Sequence, residues 1–265
     1  FIFEVNGCTF TNAIQITLIN PVYIPTFAPI GPFCVGDTIV LPATSIEGFT
    51  GTWNLPVDNT QTQTYVFIPT AGQCAQNSAP FTVVVNPTPS VSSLVSNSPI
   101  CVGQNAVFTV TGTPNTTITY NINSGANQTA TIDGSGQYIH TVTAPATNVT
   151  FNLLDIDNGA CNTPLSLTQM VTVTPLPIAT LAVVDSNICI GVGNAVFTIN
   201  GTANATVTYN VNSGANQTIV LNASGSAVLT FNSPASDVTV TLVSVASGIC
   251  SNTIVGQSNT VVVTS

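Results

Sequence analysis

Lysine and arginine are absent from all 265 residues. An average chain is about a quarter charged, so roughly 30 basic side chains are missing. Nine carboxylates and one histidine leave a formal charge of -9 and a pI near 4.1. Nucleic-acid binding, which neutralises phosphates with Lys and Arg, is excluded. So are phosphoryl-transfer sites that clamp the moving charge with a cation, lysine Schiff-base chemistry, polybasic attraction to anionic lipid and lysine–asparagine isopeptide cross-links. What survives is neutral, acidic or metal-dependent chemistry, or a role without chemistry. Long apolar runs are missing too. Mean hydropathy is +0.47, but no stretch approaches the 18 or more continuous apolar residues of a spanning helix. A transmembrane barrel also alternates along its strands; long cysteine-bearing loops and unequal strand lengths argue against one here. There is no initiator Met or signal peptide, and Phe1 opens in mid-strand, as expected of a piece of something longer.

Internal repetition organises what is present. Residues 105–129 read NAVFTVTGTPNTTITYNINSGANQT and 194–218 read NAVFTINGTANATVTYNVNSGANQT, identical at 19 of 25 positions. The offset is 89 residues, so two homologous modules lie in tandem. The seven cysteines extend the pattern. Cys34, Cys101 and Cys189 each open a Cys-Val/Ile-Gly element, and Cys74, Cys161 and Cys250 each precede a module's last strand. The expected pairs are Cys34–Cys74, Cys101–Cys161 and Cys189–Cys250, one disulfide per module, with spacings of 40, 60 and 61. Loops of that size stabilise a module by about 4 kcal/mol in the chain-entropy model. Cys8, in NGCTFTNAIQITLINP, matches the end of a module, and its partner is expected upstream of Phe1. Such cysteines suggest an oxidising exterior. Zinc is the rival, but there is no CxxC pair and His140 is the only histidine.

The pattern is β throughout. Between 89 and 176, strands are expected at 91–95, 106–111, 117–121, 128–132, 138–143, 148–154 and 166–174. Ala106, Phe108 and Val110 alternate with Val107, Thr109 and Thr111, and Val238, Val240 and Leu242 alternate with Asp237, Thr239 and Thr241. Thr, Asn and Ser take the solvent face. Asp133-Gly134-Ser135-Gly136 and Ala223-Ser224-Gly225-Ser226 read as turns. About seven short strands in some 80–90 residues indicate immunoglobulin-like sandwiches. The expected division is 1–20 as the end of a preceding repeat, then repeats 21–88, 89–176 and 177–265. Pro-bearing linkers, Asn86-Pro87-Thr88-Pro89 and Thr174-Pro175-Leu176-Pro177, are semi-rigid spacers, so an extended rod is expected.

Gly51-Thr52-Trp53, the stretch TYVFIPTAGQCA from Thr64 to Ala75, and the terminal Val83-Val84-Val85-Asn86-Pro87 resemble the Ig-like repeats of very large surface adhesins of Bacteroidota, particularly Flavobacterium-type gliding bacteria. The TYNINSGANQT and TYNVNSGANQT stretches resemble repeats of the same proteins. The resemblance covers essentially the whole chain. It implies export by the type IX secretion system, display on the outer-membrane surface, and a part in adhesion or gliding alongside that machinery. It carries over no catalytic residue.

Individual sites add little chemistry. His140 has no triad partners and no counterpart at Leu229, so it reads as a strand-surface histidine. Asp155-Ile156-Asp157-Asn158-Gly159 spaces oxygen ligands as calcium loops do, without the downstream Glu; Asp155 and Asp157 are candidate calcium ligands. Trp53 reads as core. Thr38, in Asp37-Thr38-Ile39, resembles the O-glycosylation signal of Bacteroidota, and Asn115 and Asn204 begin Asn-X-Thr triplets of little weight. No carboxylate pair for glycoside hydrolysis is present. The expectation is a non-enzymatic, extracellular stalk segment of an adhesin, partnered by neighbouring repeats. The alternative is an Ig-like module that itself binds a glycan or surface polysaccharide. Membrane insertion is not expected.

Overall fold

The computed structural model describes residues 2–5, 8–11 and 22–265. By packing, the chain falls into two units. One comprises Phe1–Pro89 with Asp157–Thr163, the other Ser90–Ile156 with Pro164–Ser265.

In the first unit, β1 (Ile2–Val5) and β2 (Cys8–Thr11) form an antiparallel hairpin in which Val5 faces Cys8. The strands that follow are two or three residues long: β3 (Phe33–Cys34), β4 (Gly51–Trp53), β5 (Gln63–Tyr65), β6 (Phe67–Pro69), β7 (Phe81–Val83) and β8 (Val85–Asn86). Proline at 25, 29, 32, 42, 56, 69 and 80 removes ladder donors and keeps them short. β4 pairs with β6 and β5 with β7, both antiparallel, while β3 runs parallel to β8. Aromatic packing compensates for the short ladders. Tyr65 and Phe67 are fully buried, and Trp53 lies 4.7 Å from Phe27 and 5.3 Å from Phe67, centroid to centroid.

The second unit holds two sandwiches. In the first, β9 (Val91–Ser96), β10 (Ile100–Cys101), β11 (Ala106–Gly112), β12 (Thr117–Ile122), β13 (Gln128–Thr131), β14 (Gln137–Val142), β15 (Val149–Asp157), β16 (Asn162–Val171) and β17 (Val173–Thr174) follow in order. They form the sheets β9-β11-β14 and β13-β12-β15-β16, with β10 parallel to β17. The second sandwich contains β18 (Ala179–Val183), β19 (Asn187–Cys189), β20 (Asn194–Gly201), β21 (Thr206–Val211), β22 (Gln217–Val220), β23 (Ser226–Asn232), β24 (Val238–Ser247), β25 (Cys250–Thr253) and β26 (Ser258–Thr264). Its sheets are β18-β20-β23 and β19-β26-β24-β21-β22, with β25 on β24. A three-stranded sheet facing a larger one, joined by a short strand parallel to the last, is an immunoglobulin-like arrangement. The fold is all-β, as expected.

Alternation explains the layers. Ala106, Phe108 and Val110 are fully buried, while Val107 and Thr109 are half-buried. Val149, Phe151 and Leu153 point inward, but the next core residue is Ile156. The period-two pattern slips by one residue, so β15 continues beyond the expected end at 154 and Asp155 stays out of the core. In β24 the same slip places Val245, not Ser244, inside, and the β21–β24 register shifts there. The two expected turns occur, and both carry the chain from one sheet to the other, from β13 to β14 and from β22 to β23.

Where β18 crosses β20, Gly201 lies against the backbone of Ile178, whose carbonyl accepts Thr202 N–H at 2.9 Å. A Cβ at Gly201 would overlap that carbonyl oxygen. Gly201→Ala is expected to destabilise the sandwich by about 1–3 kcal/mol, read as a lower denaturant midpoint at unchanged slope.

Candidate functional site

Each sandwich has two distinct ends, and the cysteines divide between them. β10 pairs in parallel with β17 so that Cys101 faces Thr174, the last strand residue before the linker. Val102 N–H then bonds Thr174 O at 3.0 Å. The other two opening cysteines repeat this geometry: Cys34 faces Asn86 and Cys189 faces Thr264. Val35 N–H bonds Asn86 O at 3.0 Å, and Ile190 N–H bonds Thr264 O at 2.9 Å. All three therefore sit at the trailing end, where the chain leaves its sandwich.

The closing cysteines Cys161 and Cys250 sit at the opposite, leading end. Cys250 begins β25 directly opposite Ser247, across the two-residue tip Gly248-Ile249. Asn252 Nδ2 reaches back to Pro177 O at 3.2 Å, in the linker that enters this sandwich. Cys161 lies at the β15–β16 tip, where Thr163 Oγ1 donates to Pro89 O at 2.9 Å. Asn158 both orders this tip and docks it. Its Oδ1 accepts the N–H groups of Ala160 and Cys161 at 3.0 and 2.8 Å, and its Nδ2 donates to Pro87 O at 2.9 Å.

The disulfides follow from this division. Cys34 bonds Cys161 and Cys101 bonds Cys250, with Cα separations of 5.8 and 5.7 Å. The expected pairs within repeats, Cys34–Cys74, Cys101–Cys161 and Cys189–Cys250, are not formed, and the arrangement of one disulfide per module is corrected to bonds joining successive repeats. The reason is distance. The strands β16 and β17 run from beside Cys161 to Thr174 opposite Cys101, an extended path of roughly 40 Å, whereas a disulfide needs Cα atoms within about 7 Å. Cys161 and Cys250 are each 2% exposed. Cys189 is exposed and unbonded, and Cys74 is exposed beside Tyr23, whose N–H donates to Cys74 O at 3.1 Å. The Cys8 side chain, expected to pair upstream of Phe1, lies outside the described residues.

The turns after Cys34 and Cys101 each carry their own cap. Asp37 Oδ2 accepts Cys34 N–H at 2.8 Å and Gln104 Oε1 accepts Cys101 N–H at 2.8 Å. Thr38 is exposed next to this engaged carboxylate. Asp155 and Asp157 lie on β15, with Ile156 buried between them, and Asp157 Oδ1 accepts Gly159 N–H. Among the described residues no group of three or more His, Cys, Asp or Glu side chains comes together. Trp53 packs against the Tyr65 core and donates Nε1–H to Pro42 O at 2.9 Å. His140 is half-buried rather than a bare surface residue. Its Nδ1 lies 3.3 Å from Tyr120 OH and 3.2 Å from Tyr138 OH, and desolvation holds its pKa below the ordinary 6.5.

The missing cations leave carboxylates and sheet faces to neutral partners. Glu47 is pushed down to about 2, first by the Thr26 hydroxyl and then by the Thr26 N–H. Asp58 is lowered chiefly by the Thr60 hydroxyl and Asp133 by the Ser135 hydroxyl. Cross-strand hydroxyl pairs stand where ion pairs usually do: Thr64 with Thr82 at 3.0 Å, and Thr239 with Thr260 and Thr241 with Ser258 at 2.8 Å. An amide chain crosses the other sandwich, from Thr168 Oγ1 to Asn152 and from Asn152 to Asn121, beside an open hollow of about 300 Å³.

Sequence reasoning missed Asn158, Asn252 and the parallel bridges. The signal available was the fold itself. In an immunoglobulin-like sandwich a strand parallel to the last one ends where the chain leaves, and the final hairpin turns at the other end.

No family model and no curated protein matches this chain. Among solved structures it is similar to a marsupial T cell receptor, at 11% identity over 66% of this chain and 73% of that one, with a TM-score of 0.43. It is also similar to the I9–I11 tandem of titin, at 13% identity over 78% and 75%, TM-score 0.33. A biofilm-associated protein BSP domain aligns at 16% identity over 61% of this chain and 28% of that one, TM-score 0.23.

Two measurements check the geometry. Chymotryptic digestion without reductant, followed by mass spectrometry, is expected to yield Cys34 peptides linked to Cys161 and Cys101 peptides linked to Cys250; a Cys101–Cys161 pair would refute the staggered pattern. For Glu47 the folded pKa is depressed, so its contribution is complete above about pH 4.5 and disappears as pH falls towards 2. The Tm difference between the parent and Glu47→Gln is accordingly expected to be largest at pH 5–7 and to vanish near pH 2.

Proposed function

We propose that this chain is a structural stalk segment of a large extracellular adhesin or filament, in which tension is shared between the peptide chain and a staggered series of disulfides. The supporting observation is that each bond bypasses a linker. Cys34–Cys161 spans Asn86–Pro89, and Cys101–Cys250 spans Thr174–Pro177. Every such junction has two covalent connections, so a break in either linker leaves the chain in one piece. Bonds within single modules would protect the modules and leave the linkers as single points of failure. An enzyme's fold gains little from this; a tether gains continuity. Disulfides persist in oxidising compartments, which supports an extracytoplasmic location.

The cell-surface setting, the gliding role, type IX export and the Bacteroidota source draw on the sequence resemblance. The lack of Lys and Arg fits that setting in two ways. Trypsin-like proteases find no cleavage site, and the stalk offers no cationic side chain to anionic lipopolysaccharide on its own cell. A second reading, direct glycan binding, draws on the hollow lined by Asn121, Asn152, Ser166 and Thr168. Thr168, Asn152 and Asn121 already bond one another, so a glycan competes with those bonds.

The composition provides a clean test of continuity. Ile178 is 63% exposed, and Ile178→Arg creates a single trypsin site in a chain that otherwise has none. After digestion the oxidised variant is expected to migrate at full mass, because Cys101–Cys250 spans the cut. Reduction should release two fragments. Separation before reduction would overturn the proposal.

A further inference from the structure

Cys189 occupies the position that Cys34 and Cys101 occupy in their own repeats. All three end a short strand running parallel to the last strand, in the same register, opposite Asn86, Thr174 and Thr264. The two earlier positions are both covered by the hairpin tip of the following repeat. Cys161 Sγ approaches Asn86 O at 3.8 Å, and Cys250 Sγ approaches Thr174 O at 4.0 Å. Coverage leaves its mark on burial. Ile100 and Cys101 are 3% and 7% exposed, whereas the corresponding Ile188 is only half-buried and Cys189 is exposed. Val192, which replaces the capping Asp37 and Gln104, is 83% exposed. Among the described residues the same surface is thus built three times, filled twice, and open once.

We infer that the Cys189–Thr264 surface is an acceptor site for the cysteine-bearing hairpin tip of a further Ig-like repeat of this kind, which it captures as a disulfide. The inference rests on the staggered linkage proposed above. The occupant is defined by its chemistry. It is a short β-turn bearing a cysteine at the start of the return strand, with an Asn side chain close by to bond the linker, as Asn158 and Asn252 do. Bond formation takes two thiols and an oxidising disulfide. With oxidised glutathione, the two cysteines lose two electrons and two protons, and one glutathione disulfide becomes two thiols.

The test uses the whole chain with a second copy of residues 177–265 joined after Ser265, the added copy carrying Cys189→Ser so that a single Cys189 remains, refolded in a glutathione redox buffer. Peptide mapping is expected to link Cys189 to the added counterpart of Cys250 and to show loss of Cys189 alkylation. When the original Cys189 is also substituted, Cys189→Ser, the added counterpart of Cys250 should become alkylatable. A Cys189 that stays alkylatable, or carries only glutathione, beside a folded added repeat would overturn the inference. A parallel version carrying a copy of residues 89–176 repeats the test on the Cys161-type tip, so one misfolded fusion does not decide it. The Ile178→Arg digestion reads the internal bonds independently, so failure of the acceptor site and failure of the stalk reading are distinguishable.

Discussion

The parallel bridge between a cysteine-bearing dipeptide and the end of the last strand decides how this protein is tied together. It contributes few hydrogen bonds, yet it fixes the end of the sandwich at which the opening cysteine lies. The final hairpin, running antiparallel, turns at the other end and carries the closing cysteine there. Given strands of up to ten residues, no side chain reaches from one end to the other. Covalent linkage between repeats follows from strand direction.

The second constraint is the lack of cations. Without Lys or Arg, His140 is the one side chain that can pair with a carboxylate as a cation, and carboxylates find backbone N–H and hydroxyl donors instead. Some of these contacts are local, as where Asp133 serves Ser135 and Gln137 and Asp58 serves Thr60 and Gln61; others, such as Glu47 with Thr26, tie distant segments. Hydroxyl and amide pairs in register provide cross-strand specificity on the solvent faces. Acidification then has an unusual outcome. Protonating the carboxylates brings the chain close to neutrality, with no build-up of positive charge to drive it apart.

Much of the fold was legible because period-two alternation is strong where strands are long. Ala106, Phe108 and Val110 announce an inward face, and Val238, Val240 and Leu242 do the same. The pattern fails at defined places. Beyond Leu153 the period slips by one residue, hiding the last part of β15. Strands of two or three residues, such as Ile100–Cys101 or Gly51–Trp53, are too short to show any period. Cysteine spacing also misleads. Proximity in sequence favours Cys101–Cys161, and only the three-dimensional path of β16 and β17 shows those residues to be at opposite ends. Asn158 was visible as a turn residue, but its role in holding Pro87 depends on a contact 71 residues away.

The overlap of the two bonds has a consequence for biogenesis. Cys101 emerges from any N-to-C export or synthesis process well before Cys250, 149 residues later. Meanwhile Cys161 is nearer along the chain, and closing that shorter loop is favoured by about 0.8 kcal/mol in an unfolded chain. Correct oxidation therefore requires the first sandwich to fold while its opening thiol is still reduced, and the thiol must wait for the next repeat. Thiol chemistry runs one repeat behind folding along the whole length, like a backstitch that secures each fold only after the next has been laid down.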